Sequence, residues 1–277
     1  YRVKDDNGNT KTFADAIKYA CSKNFLEVTC LTHGQNLTDE IIDAITDAKP
    51  NWISFSIDGL EDEYNKIRTP RNKKKDTSYN AFEVLCENVK KLANKRDEKG
   101  ENLPRLRSNC VFPSISKYPQ RYKEFMKYIG IDLVTTSEVN DYREHRLKDE
   151  DINYDWSCAY PFQRMTISAN SIILPCPAAD QEEANLVFGR YKGSPPKKTR
   201  NYDGSIKLSD IPENTITSAW HSDSWNKLRK AHKEKTRHLI EPGCRNCLHG
   251  VKKKGVKNIP SDWDLENMEW SYHPTKV

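Results

Sequence analysis

The stretch Trp52-Ile53-Ser54-Phe55-Ser56-Ile57-Asp58-Gly59 decides how the first half of this 277-residue chain is read. From Trp52 to Ile57 it is largely apolar on both faces, the pattern of a parallel strand buried between layers. It closes on Asp58-Gly59, a turn signal. Upstream, Thr38 is placed to cap a helix carrying Ile41, Ile42, Ile45 and Ala48 on one face. Before it, residues 26–31 read as a short strand ending in Thr32-His33-Gly34. Phe13, Ala16, Ile17, Ala20 and Cys21 recur at helical spacing over about 12–23, and the polar residues 1–11 read as a loop.

Downstream the same rhythm continues. A helical turn over 60–68 and a basic loop at 71–75 lead to an amphipathic helix marked by Phe82, Leu85, Cys86, Val89 and Leu92. A strand over 105–112, a helix opened by Pro119 and a strand over 131–136 follow. Strands alternating with helices at this spacing predict right-handed βαβ units and a parallel sheet.

The rhythm breaks near residue 140. Residues 139–157 are charged and irregular, and Met165 to Ile173 alternates like a hairpin around Ala169-Asn170-Ser171. Residues 190–215 read as a long surface insertion. Trp225, Leu228 and Ala231 share one side of a helix capped by Ser222 or Asp223, and the tail from 251 reads as an extended arm. The expected division is 1–145, 146–250 and a tail over 251–277.

Bulk properties narrow the setting. The net charge of +5 permits an anionic ligand without demonstrating one. No apolar run approaches the length of a membrane span and no signal peptide is visible, so neither a membrane nor export is expected. Eight cysteines are few for a secreted disulfide scaffold of this size, which favours a reducing, cytoplasmic setting. The chain begins at Tyr1, which reads as processing or as a fragment.

Chemistry concentrates in the second half. Cys244-Arg245-Asn246-Cys247 is a C-x2-C pair, and Cys158 and Cys176 lie upstream with 17 residues between them. Leu174-Pro175-Cys176-Pro177 and Pro242-Gly243-Cys244 are stiff thiol-bearing turns that lower the entropy cost of gathering four thiolates. Such a set can hold tetrahedral zinc or an iron–sulfur cluster, and counting sulfurs does not separate the two. Cys21, Cys30, Cys86 and Cys110 read as small buried hydrophobes. The seven histidines show no metal-binding spacing, and His232 reads as a helix-face residue. The basic runs at 71–75, 197–200 and 252–257 lack interleaved aromatics and read as solvated loops, so nucleic acid is not the expected partner.

In the first half the polar residues at strand ends matter most, because ligands bind at the C-terminal ends of strands in parallel βα barrels. The candidates are Thr32, His33, Gly34, Ser54, Ser56, Asp58, Asn109 and Thr136. Ser56 and Asp58 can hydrogen-bond a ribose, and Arg68 can pair with a carboxylate. Equally, Asp58-Gly59 can simply form the turn and cap the next helix.

The order of these pieces resembles a known superfamily. Leu31-Thr32-His33-Gly34, Ile53-Ser54-Phe55-Ser56-Ile57-Asp58-Gly59 and Tyr64-Asn65-Lys66-Ile67-Arg68 resemble the middle of a radical S-adenosylmethionine enzyme. The segment from Cys158 to Cys247, with Ala219-Trp220 and Trp225-Asn226-Lys227-Leu228-Arg229, resembles that superfamily's C-terminal twitch or SPASM-type extension. The resemblance implies an α/β fold. Its first part would be a partial (β/α)6 barrel that binds S-adenosylmethionine, and its second a small α+β domain with an auxiliary [4Fe-4S] cluster on Cys158, Cys176, Cys244 and Cys247. It also implies that Ser56, Asp58 and Arg68 lie near the ribose and methionine carboxylate; Asn109 joins them as a cofactor contact from its strand-end position.

The sequence departs from the family in two ways. His33 stands where Asn is common, and the C-x3-C-x2-C triad of the radical-generating cluster and the Gly-Gly-Glu segment are absent. Both precede this stretch in the family, so an N-terminally incomplete sequence is expected. The second [4Fe-4S] cluster would belong to the complete protein, and residues 1–277 alone are expected not to perform the radical step. The resulting expectation is a radical S-adenosylmethionine oxidoreductase or modifying enzyme, served by an electron donor such as a flavodoxin or ferredoxin. No catalytic residue and no substrate are assigned. The rival is a zinc-stabilised α/β binding module contacting an anionic partner such as nucleic acid.

Overall fold

The computed structural model describes residues 2–4, 7–74, 76, 78–137, 153–168, 171–177, 179, 187–191, 212–240, 244, 245 and 247. The insertion's residues 192–211, the basic runs at 197–200 and 252–257 and the tail over 251–277 lie outside them. The chain divides into two compact units, with the boundary between Val139 and Asn140.

The first unit opens with strands β1 (Arg2–Lys4) and β2 (Thr10–Thr12), paired antiparallel. A loop was the expectation for residues 1–11. The hairpin forms because Asn7-Gly8 is a turn pair and Gly8 takes φ +80° at no steric cost. Helix α1 (Phe13–Cys21) starts at Thr12 in a capping box with Asp15. Then come β3 (Thr29–Thr32), α2 (Asp39–Ala48), β4 (Trp52–Ser56), α3 (Glu61–Arg68), α4 (Ala81–Glu98), β5 (Arg105–Val111), α5 (Pro119–Tyr128) and β6 (Leu133–Ser137). Thr38 caps α2 as its sequence position implies, its side chain accepting from Ile41 N–H.

Strands β3, β4, β5 and β6 lie in that order in one four-stranded parallel sheet. Ile53, Phe55, Leu106 and Cys110 are buried on one face, and α4 adds Leu85, Val89 and Leu92 to the same core. Fully burying a side chain of this size stabilises by about 1.5–3 kcal/mol. Within that core the Tyr122 hydroxyl donates to Ile57 O at 2.7 Å and stands 2.5 Å from Ser108 Oγ.

The other face differs from the expectation of an apolar strand on both sides. The register places Trp52, Ser54 and Ser56 beside Arg105, Arg107 and Asn109. Arg105 and Arg107 lie over the Trp52 ring, 4.6 and 4.3 Å from its centroid. On β4 and β5 this face carries serine, arginine and asparagine around Trp52.

In the second unit α6 (Tyr160–Gln163) precedes a hairpin of β7 (Thr166–Ile167) and β8 (Ile173–Leu174), antiparallel as the alternation predicts. Strand β9 (Arg190–Tyr191) pairs parallel with β10 (Glu213–Asn214). Helices α7 (Ile216–Trp220) and α8 (Asp223–Lys233) follow, α8 capped by Ser222. A small core gathers Ile173, Phe188, Ala219, Trp225 and Leu228. Trp225 is completely buried, and its indole N–H donates to Pro161 O at 2.8 Å. No helix among the described residues is long and apolar enough to cross a membrane.

Candidate functional site

Each unit gathers polar groups at one place. In the first, the gathering occurs at the strand ends. Asp58 follows β4 and is 4% exposed. Its Oδ1 accepts Val111 N–H at 3.0 Å, and its Oδ2 accepts both Arg68 Nε–H at 2.8 Å and a second Arg68 N–H. The carboxylate therefore ties the end of β4 to the end of β5 and to the last turn of α3. It does not cap α3: the cap position is Leu60, with no side-chain bond. A carboxylate offers about four acceptor positions, so these bonds leave room on Oδ1 for a further donor.

Asn109 faces the same side of the sheet as Ser56, its register partner. Its Oδ1 accepts from the Thr135 hydroxyl, and its carbonyl accepts Ile57 N–H at 2.9 Å. Ser56, Asp58, Arg68 and Asn109 thus belong to one neighbourhood of the first unit.

A residue the sequence did not single out fixes that neighbourhood. Gln35, in the loop after β3, is buried. Its Nε2 donates to Tyr64 Oη at 3.0 Å and to Arg68 O at 3.1 Å, and its Oε1 accepts from Tyr79 Oη at 3.1 Å. Asn88 donates to Gly34 O at 2.9 Å, drawing the loop onto α4. Gly34 is required there: φ is +75°, and a β-carbon would lie 2.5 Å from Leu85 Cδ1. Burial, then the Arg68 charge, hold the His33 imidazole below its usual pKa. Its Nδ1 accepts Gln35 N–H at 3.2 Å.

In the second unit, Cys158, Cys176, Cys244 and Cys247 line one cavity of about 40 Å³, with Trp156, Tyr160, Pro161, Pro175 and His232. Sequence groups far apart are thus brought to one place. The thiols line a space: among the described residues, no three His, Cys, Asp or Glu side chains are arranged as ligands of a single ion. Burial, reinforced by Cys247, Cys176 and Cys158, pushes the Cys244 thiol up to about 12. Burial also raises Cys158, with Cys247 and Cys176 adding to it. Protonated thiols of this kind ligate only when a metal displaces the proton. The donor set fits such a group: soft sulfurs, apolar walls that exclude water, and a cation at hand.

That cation is Arg237, which is completely buried. Its guanidinium donates to Cys244 O at 2.6 Å and to Asn153 O at 3.0 Å, and lies 4.7 Å from the Trp156 ring centroid. Burial works against its charged form, while Cys247, Cys244 and Cys158 support it. It fastens the segment bearing the late cysteines to the segment bearing Cys158.

His232 completes the wall of the cavity. It is 1% exposed, and its Nδ1 accepts Cys158 N–H at 3.3 Å. Burial, then Arg237, lower its pKa to about 4, so the ring is neutral near pH 7. By sequence alone it reads as an ordinary helix-face residue. The signal was its spacing: Trp225, Leu228 and His232 fall on one buried stripe of α8. Arg237 carried no comparable signal. Cys86 and Cys110, by contrast, are buried in the first unit's core, and Cys21 and Cys30 pack against it.

Comparison with known proteins agrees with this division. Residues 6–94 match the radical SAM superfamily, and residues 158–248 match SPASM, an iron–sulfur cluster-binding domain. No curated protein matches the chain. Among solved structures, BtrN in an open conformation is 12% identical, with a TM-score of 0.30, over 83% of this chain and 97% of that one. SuiB from Streptococcus suis is 17% identical at a TM-score of 0.36, over 59% of this chain and 46% of SuiB. SuiB bound to S-adenosylmethionine is 16% identical at 0.36, over 59% and 45%. The chain thus spans less than half the length of SuiB. The parallel sheet of β3 to β6 and its helices form a partial radical-SAM barrel, followed by a separate C-terminal domain. The chain belongs to the radical SAM superfamily and carries a C-terminal iron–sulfur cluster-binding domain of the SPASM/twitch type.

Proposed function

We propose that this chain serves a radical S-adenosylmethionine enzyme that oxidises or otherwise modifies its substrate, with one auxiliary [4Fe-4S] cluster held by Cys158, Cys176, Cys244 and Cys247. One observation carries the reading: four cysteines from separate parts of the sequence line a single apolar cavity. All four fall within the iron–sulfur domain match. When bound, a cluster of this kind exchanges single electrons. The chain's own part is to present four thiolates, shield them from water with Trp156, Pro161 and Pro175, and balance their charge with buried Arg237.

In the first unit, Asp58, Ser56 and Asn109 would receive the ribose of S-adenosylmethionine, and Arg68 its carboxylate. The bonds from Val111 and Arg68 fix the Asp58 carboxylate before any ligand arrives, so binding need not order it. An electron donor such as a flavodoxin or ferredoxin fits this chemistry. The eight free thiols suit a reducing cytoplasm.

Anaerobic purification tests the reading. A brown protein with iron and sulfide in near-equal amounts is expected. A colourless protein with a single zinc would replace it with a zinc-stabilised binding module.

A further inference from the structure

The four cysteines leave one polar group of their cavity unexplained. His232 lines the same cavity and is 1% exposed. Its ring accepts Cys158 N–H on Nδ1 at 3.3 Å, and its backbone is held by the Ser157 hydroxyl, which donates to the His232 carbonyl at 2.7 Å. The Trp156 ring meets the imidazole edge-on, 6.4 Å between centroids. A nitrogen that accepts an N–H bears no proton, so the proton of the neutral ring sits on Nε2. That Nε2 is buried and, among the described residues, has no hydrogen-bond partner. Buried donors are almost always satisfied, and one that is not calls for a cause.

The cavity supplies the acceptor once it is filled. Pro161 and Pro175 line its wall with apolar rings, whereas the sulfurs of a bound cluster carry negative charge. We propose that His232 donates its Nε2–H to a sulfur of the cluster held by the four cysteines, and so raises the reduction potential of that cluster. The direction follows from charge. The reduced cluster is the more electron-rich, so a hydrogen bond to sulfur stabilises it more than the oxidised form. His232 is a positioning and tuning residue here, not a ligand. The inference rests on the iron–sulfur reading above.

Two substitutions in the full chain separate the two ring nitrogens. In His232→Asn the short amide can still accept Cys158 N–H but puts no donor at the Nε2 position. In His232→Gln the longer amide can place an N–H there. With iron and sulfide first shown equal to wild type, His232→Asn is expected to move the midpoint potential to more negative values. It is also expected to remove one exchangeable proton coupling from the pulsed EPR spectrum of the reduced cluster. His232→Gln should stay closer to wild type on both. An unchanged potential and coupling in His232→Asn, or equal shifts in both variants, would overturn the proposal while leaving the iron–sulfur reading intact.

If neither variant holds the cluster, the wild-type protein still decides. Histidine-selective 15N labelling should give a weak nitrogen coupling to the reduced cluster. No coupling, or the strong coupling of a directly bonded nitrogen, would overturn the role assigned to His232. A wild-type chain holding only zinc would overturn both readings together.

Discussion

The two units secure themselves by different means. The first has a continuous parallel sheet, with β4 bonded on both sides and Ile53, Phe55 and Leu106 fully buried behind it. Its polar networks, at Asp58 and at Gln35, are held in place by the chain's own groups. The second, among its described residues, has strands of two residues, two small clusters of buried hydrophobic side chains, and a cavity lined by thiols. Its most buried polar residues, His232 and Arg237, both face the cysteine site. A fold built on apolar burial can stand without a cofactor; one with a small apolar core depends more on whatever fills its cavity.

The largest expected effect breaks that contrast most directly. Replacing Cys244 and Cys247 by serine should abolish metal binding and loosen the second unit, since structural metal sites contribute on the order of 10 kcal/mol to their folds. Trp156, Trp220 and Trp225 belong to that unit and would shift their emission to the red. The cooperative urea transition of the first unit should persist. Joint unfolding of both units in this variant would show that the two are not secured separately.

A smaller effect probes the first unit. Gly34→Ala places a β-carbon against Leu85 and Phe55 at a positive φ, and should cost about 2–4 kcal/mol of stability. The readout is the urea midpoint, with metal content unchanged. The smallest effect calibrates the scale. Lys91 approaches Asp39 at 3.5 Å on the surface, and Lys91→Ala should leave the urea midpoint essentially unchanged.

How far the sequence disclosed this molecule differs between its parts. Wherever packing alone decides the outcome, periodicity was enough: α2 with its Thr38 cap, α4 with its Leu85–Val89–Leu92 stripe, and the run from Trp52 all stand where spacing puts them. The polar face of β4 was misread because Ser54 and Ser56 sit among apolar neighbours and register, not composition, gives them their company. The N-terminal hairpin was missed although Asn7-Gly8 signalled it, because its strands are too short for alternation to register. Gln35 and Arg237 were invisible for another reason. Each is defined by partners distant in sequence, and no local pattern marks a side chain whose role is to close a gap between elements.

The clamp made by Arg237 bears on how the chain is built during synthesis. It joins Asn153, near the start of the second unit, to Cys244, near its end. A ribosome releases the first unit's sheet whole before any of these residues emerge, so that sheet can fold as it appears. The second unit must wait with Cys158 and Cys176 already outside and their partners still unmade. For that interval two thiols stand without the pair that lines the same cavity. On the proposed ligand set, metal can load only after the late pair emerges, which leaves an interval in which Cys158 and Cys176 are open to oxidation or to the wrong ion.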